Sequence, residues 1–172
     1  NDIAQLPQSL IYLKLDGCIK LTNEAIDRLP PHLLDLSLSQ CHHLTNDMIS
    51  YLSRSLKILD LSHCIQLTNM DHLPEHLQSL SVAKCENLTD EAIAKLPKDL
   101  KILDLSECKK LTDAFIASLP PSLEFLNLSG CENLTNQALT QLPKDLKVLN
   151  ISGCYKITPD AIKKLPKTIR LE

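Results

Sequence analysis

Aromatic residues are scarce in this chain: tryptophan is absent and the aromatic content is only 3%. That argues against an aromatic-lined ligand cage. No apolar run approaches the roughly 20 residues of a membrane span, and no secretory or transit segment is visible, so no membrane partner is expected. Neither sign of charge dominates. The chain has 18 Lys+Arg against 21 Asp+Glu, net charge -3, with acids and bases interspersed. Nucleic-acid binding calls for a basic stripe, so no nucleic-acid partner is expected. The seven cysteines form no close pairs and are odd in number, poor material for a disulfide framework and a sign of a reducing compartment. The sequons Asn127-Leu-Ser and Asn150-Ile-Ser agree, because both fall in predicted strands where a glycan would cover the sheet.

What the chain does have is one repeated unit, clearest from Leu100 to Pro120, LKILDLSECKKLTDAFIASLP. Strict alternation points Leu103 and Leu105 inward and Ile102, Asp104 and Ser106 outward, the pattern of a strand with one buried face. Cys108 and Leu111 continue the apolar column as the chain turns away. Thr112-Asp113 reads as a helix start, a hydroxyl cap followed by an acid in the first turn. Phe115, Ile116 and Leu119 share a helical face, and Pro120 ends the segment. The leucine-strand-cysteine frame recurs at Leu10–Cys18, Leu33–Cys41, Leu56–Cys64, Leu77–Cys85, Leu123–Cys131 and Leu146–Cys154. The period is 23 residues, and 21 between Cys64 and Cys85. One such unit cannot bury its inner face, so it must stack on its copies, and the cysteines then form a buried ladder of free thiols.

This is the leucine-rich-repeat pattern, and its C-x-x-L-T-[DN] run resembles the cysteine-containing repeats of F-box/leucine-rich-repeat proteins. The L-P-x-x-L-x-x-L ending, as at Leu96-Pro97 and Leu142-Pro143, is similar to the repeats of bacterial leucine-rich-repeat effectors. The fold expected is therefore an α/β solenoid: a right-handed curved stack, parallel strands on its concave face and short helices on its convex face. It comprises seven full repeats of 21–23 residues plus partial ends, as one leucine-rich-repeat domain over 1–172. Without polar caps at its ends, the chain reads as a fragment of a longer protein.

Three local features carry expectations of their own. Thr68 to Leu73 is two residues shorter than its equivalents, so at most one helical turn is expected there, with the sheet unbroken through Leu80 and Val82. Thr158-Pro159 supports threonine as the helix cap throughout. Gly17, Gly130 and Gly153 precede a cysteine, but Gln40, His63, Lys84 and Glu107 hold the same place, so a left-handed conformation is not required there. A strand opens near Ile169, and Leu171-Glu172 is expected to lie outside the fold.

Solenoids bind through their concave faces. The outward strand positions fall into columns. The first is Tyr12, Asp35, Ile58, Ser79, Ile102, Phe125 and Val148. The second is Lys14, Ser37, Asp60, Ser81, Asp104, Asn127 and Asn150. The third runs Asp16, Ser39, Ser62, Ala83, Ser106, Ser129 and Ser152. The candidate protein-binding residues are Tyr12, Ile58, Asp60, Ile102, Asp104, Phe125, Asn127, Val148 and Asn150, with Phe125 as the centre. No catalytic role is expected: Ser62 and His63 are adjacent and no acid is placed to orient the histidine. Nor is a metal, since one cysteine per repeat spaces ligands too far apart, nor any cofactor. The expected function is recognition of a partner protein in the cytoplasm, or in a host cytosol. The resemblances imply the targeting part of a bacterial effector or the substrate-recognising part of a ubiquitin-ligase receptor. The alternative is the substrate-selecting domain of an enzyme whose catalytic domain lies outside this sequence.

Overall fold

Alternation of leucine with polar residues yields a short strand in every repeat. In the computed structural model, which describes residues 3–172, these are β1 (Tyr12–Lys14), β2 (Asp35–Ser37), β3 (Ile58–Asp60), β4 (Ser79–Ser81), β5 (Ile102–Asp104), β6 (Phe125–Asn127), β7 (Val148–Asn150) and β8 (Arg170–Leu171). They form one sheet, every strand parallel to its sequence neighbour. The central leucines stand level across it. Leu36, Leu59, Leu80, Leu103, Leu126 and Leu149 are each exposed by 1% or less. Each such burial contributes about 1.5–3 kcal/mol, so this row is the spine of a core that runs the length of the stack. Leu171 pairs with Leu149 in β8, which corrects the expectation that it lies outside the fold.

The layer behind the sheet is thinner than a row of helices. Asn23–Ile26, Asp90–Ile93 and Pro159–Ile162 are single α-helical turns, whereas Asn46–Tyr51, Asp113–Ser118 and Asn136–Thr140 are 3-10 helices. A 3-10 helix rises farther per residue, which lets so short a segment return the chain to the next strand. Met48, Phe115 and Ala138 pack from this layer into the core, each exposed by 1% or less. Between Thr68 and Leu73 there is no helix, only a turn at Asp71-His72. The sheet passes this point unbroken: Leu80 stands level with Leu59 and Leu103, and the Val82 amide donates to the Asp104 carbonyl at 2.9 Å.

The turn after each strand overturns one expectation. Gln40, His63, Lys84 and Glu107 are all left-handed, with φ between 56° and 61°, as are Gly17, Gly130 and Gly153. A non-glycine residue there costs about 1 kcal/mol or more. The gain is that each amide reaches a carbonyl of the next repeat: Gln40 to Ser62, His63 to Ala83, Lys84 to Ser106 and Glu107 to Ser129, at 2.7–2.8 Å. At Gly130 a Cβ would lie 2.8 Å from Glu107 Cγ, so a side chain there would oblige Glu107 to shift.

Side chains add two further ladders. Each thiol from Cys41 onward donates to the carbonyl of the residue that follows the preceding repeat's strand: Cys41 to Leu15, Cys64 to Leu38, Cys85 to Leu61, Cys108 to Val82, Cys131 to Leu105 and Cys154 to Leu128, at 3.1–3.3 Å. All seven cysteines are free. Burial pushes the Cys64, Cys85 and Cys108 thiols from an ordinary value of 9.0 up to about 12, and raises Cys131 further. Cys18 is half-buried.

The second ladder runs behind the sheet. The residue after each threonine clamps the threonine of the following repeat. Asp90 accepts from the Thr112 amide at 2.8 Å and hydroxyl at 2.5 Å, and Asp113 does the same for Thr135 at 2.8 and 2.6 Å. Asn23, Asn46 and Asn136 accept from the amides of Thr45, Thr68 and Thr158. Local reading assigned these acids to the helix dipole; their partners lie a whole repeat away. Threonine is also not the cap throughout. Thr112, Thr135 and Thr158 accept from a helical amide, whereas Thr22, Thr45 and Thr89 do not. The clamp fails once: Asn69, in the short repeat, turns back to Asp71, and Thr89 donates to Glu91 instead.

Candidate interaction face

The sheet register brings the expected columns together. Tyr12, Asp35, Ile58, Ser79, Ile102, Phe125 and Val148 stand level on successive strands, with Arg170 beyond them. Lys14, Ser37, Asp60, Ser81, Asp104, Asn127 and Asn150 do so in the next column. All nine candidate residues therefore lie on one face of one sheet. Exposure ranks them differently from sequence reasoning. Tyr12 is 63% exposed, Ile102 46% and Ile58 43%, whereas Phe125 and Val148 are half-buried. Phe125 is flanked in register by Ile102 and Val148. The apolar surface offered to a partner is thus larger at Ile58 and Ile102 than at Phe125. Ile11 and Leu34, one residue before the first column, are also exposed, by 43% and 36%.

The polar column is held by the backbone, a role that outward alternation alone did not disclose. Asp60, Asp104, Asn127 and Asn150 each use Oδ1 to accept from the amide two residues on, of Ser62, Ser106, Ser129 and Ser152, at 2.8–3.0 Å. This is the side-chain-to-backbone turn that Asp and Asn favour. Asp16 makes a related bridge to its neighbour, accepting from the Ser39 amide at 3.1 Å and from the Ser37 hydroxyl. Ser62 donates its hydroxyl to Asp60 at 2.5 Å and lies 2.7 Å from the Ser81 hydroxyl. The backbone carbonyl of His63 lies 3.0 Å from His42 Nδ1. Among the described residues, no three His, Cys, Asp or Glu side chains are grouped to hold a metal ion, and no helix is long and apolar enough to cross a membrane. A cavity of about 620 Å³ lies away from this face, at the β1 end, lined by Ile3, Leu15, Cys18, Leu21, Ala25 and Arg28 among others.

A parallel sheet built one strand per repeat, a leucine spine, a cysteine ladder and a thin helical back define a leucine-rich-repeat solenoid with its strands on the concave side. Solved structures bear out the fold. A chain in the crystal structure of the yeast Rad7–Elc1 complex superposes with a TM-score of 0.69 at 22% identity over 88% of this chain. The leucine-rich-repeat-containing protein LegL7 of Legionella pneumophila does so with a TM-score of 0.53 at 15% identity, over 99% of this chain and 77% of its own. The present chain spans only 44% of the length of the yeast one. No protein-family model matches the sequence, and no curated protein is similar to it.

Proposed function

We propose that the chain recognises a partner protein through its concave sheet, in a reducing compartment, as the targeting part of a bacterial effector or of a ubiquitin-ligase receptor. The observation that carries this reading is the first column. Large apolar side chains stand exposed in register at Tyr12, Ile58 and Ile102, beside a column of polar groups fixed by their own turns. Interfaces take their energy from such apolar anchors ringed by polar groups. Ser62, the serine beside a histidine, directs its hydroxyl to Asp60, an arrangement that favours recognition over catalysis. The similarity to a chain from a two-protein complex and to a bacterial repeat protein is consistent with both contexts.

The test is calorimetric titration of the partner that co-purifies with the full-length protein. Ile102→Ala and Phe125→Ala are each expected to weaken binding by about 2 kcal/mol or more. Gln141→Lys and Lys144→Glu, on the exposed back, are expected to leave it unchanged. Loss of binding in the back-face variants, with both concave variants intact, would overturn the reading.

A further inference from the structure

Two strands of the sheet present the same side chains. β3 and the turn after it offer Ile58, Asp60 and Ser62; β5 and its turn offer Ile102, Asp104 and Ser106. Between them β4 offers only Ser79, Ser81 and Ala83. The register sets Ser79 level with both isoleucines and Ser81 level with both aspartates. A floor of small residues between two identical walls is a trough one strand wide. Its walls stand two strand spacings, about 10 Å, apart. Their upper edges are open to solvent, Ile58 being 43% and Ile102 46% exposed.

The charge in the walls is aimed. Asp60 Oδ1 is occupied by the Ser62 amide and hydroxyl at 2.8 and 2.5 Å, and Asp104 Oδ1 by the Ser106 amide at 2.8 Å. Among the described residues, neither Oδ2 has a hydrogen-bond or ion-pair partner. Lys84, after Ala83 at the end of the trough, is paired with Glu107 at 3.2 Å, and Lys57, just before Ile58, directs Nζ to the His76 carbonyl at 3.4 Å. Across the outward columns, Asp16, Asp35, Asp60 and Asp104 are opposed only by Lys14 and, at the far edge, Arg170. Among the described residues, no lysine or arginine is paired with Asp60 or Asp104.

Building on the concave-face reading, we infer that the trough accepts an arginine side chain from the partner protein. A guanidinium is planar and carries donors on more than one edge. Lying over Ser81, it donates to Asp60 Oδ2 on one side and to Asp104 Oδ2 on the other, as charge-assisted bonds. Its methylene stem runs over Ser79 between Ile58 and Ile102, as long cationic side chains do along apolar surface. A lysine ammonium is compact and satisfies this two-sided site less well. An apolar or acidic group would cover two carboxylates without compensating them.

The experiment pans a displayed library of random peptides against the whole 172-residue chain and titrates the enriched sequences. The enriched peptides are expected to share an arginine flanked by apolar residues, and its replacement by glutamine to weaken binding about tenfold or more. Asp60→Asn and Asp104→Asn are expected to weaken binding similarly. In the double variant the arginine-to-glutamine change should have little further effect. These substitutions remove charge while keeping the Oδ1 acceptor, the arrangement that Asn127 and Asn150 already show, so the variants should melt with the parent. Ser81→Met, which fills the floor between the carboxylates while leaving both in the sequence, is expected to block the same peptides. Peptides that lose binding on Ile102→Ala but ignore both aspartate variants would overturn the arginine site and leave concave recognition standing. Binding that also ignores Ile102→Ala and Phe125→Ala would overturn both, and failure to enrich any peptide counts against the site.

Discussion

The cysteine ladder should make the fold sensitive to alkali, and the size of the effect follows from its burial. Cys85 and Cys108 are fully buried, each donating to a carbonyl of the preceding repeat. Desolvation of the thiolate raises both to about 12 from an ordinary 9.0. The unfolded chain therefore loses these protons first as pH rises. Between 9.0 and about 12 the folded state binds more protons than the unfolded state, so stability falls with pH. It is fully present below 9.0 and is lost as pH climbs toward the folded value. Each thiol contributes a slope of about 1.4 kcal/mol per pH unit in that window. Lysines and tyrosines titrate there too, so the contrast that isolates the thiols is Cys85→Ala/Cys108→Ala. The double variant is less stable at pH 7 through lost packing. Its loss of stability between pH 9.5 and 10.5 should nevertheless be shallower than the parent's by roughly 2–3 kcal/mol per pH unit. Urea unfolding followed by far-ultraviolet circular dichroism under reducing conditions reads both slopes. Parallel curves for parent and variant would show that the thiols do not stay protonated in the fold, and the account of the ladder would be wrong.

Other expectations address the remaining contacts. Leu103→Ala leaves a cavity in the spine and should cost about 2–5 kcal/mol in urea unfolding, against about 1 kcal/mol for Thr112→Ala. Asp90→Ala, which removes the acceptor for two Thr112 bonds, should cost about 1 kcal/mol. Asp90→Asn should cost less, because Asn23, Asn46 and Asn136 make the amide contact at the equivalent place. Equal losses for the Ala and Asn variants would refute the clamp. Thiol labelling of the native protein followed by intact mass should modify Cys18 first, the one cysteine that is not buried. Prompt labelling of Cys108 without denaturant would contradict its burial.

The strands, the spine and the positions of the candidate face were legible because each is a local periodicity: alternating leucines fix which residues point in, and equal spacing fixes which stand level. The short repeat was legible for a similar reason, since two missing residues leave no length for a helix. What escaped were bonds between repeats. Asp90 and Thr112 lie 22 residues apart, and within its own repeat Asp90 looks like an ordinary first-turn acid. The left-handed turn was missed because the mixture of glycine, glutamine, histidine, lysine and glutamate suggested freedom. An amide bond to the next strand fixes that conformation regardless of the side chain. Outward direction is not exposure: Phe125, level with Ile102 and Val148, is half-buried.

These inter-repeat bonds bear on where recognition can be written. The leucines, the cysteines and the clamp residues are committed to neighbouring repeats, so substitutions there alter stability before they alter binding. The third outward column is committed as well, because its carbonyls receive the left-handed amides and its amides approach the second column. The second column is half committed: one atom of each Asp or Asn holds the turn, and the other faces outward. Only the first column is unconstrained by the stack, and it is the most varied in chemistry, holding tyrosine, aspartate, isoleucine, serine, phenylalanine and valine. On the concave-face recognition we propose, partner choice would rest on that column and on the free Asp and Asn atoms beside it. The strand where both columns shrink to serine, β4, is where a partner's side chain can approach the sheet most closely.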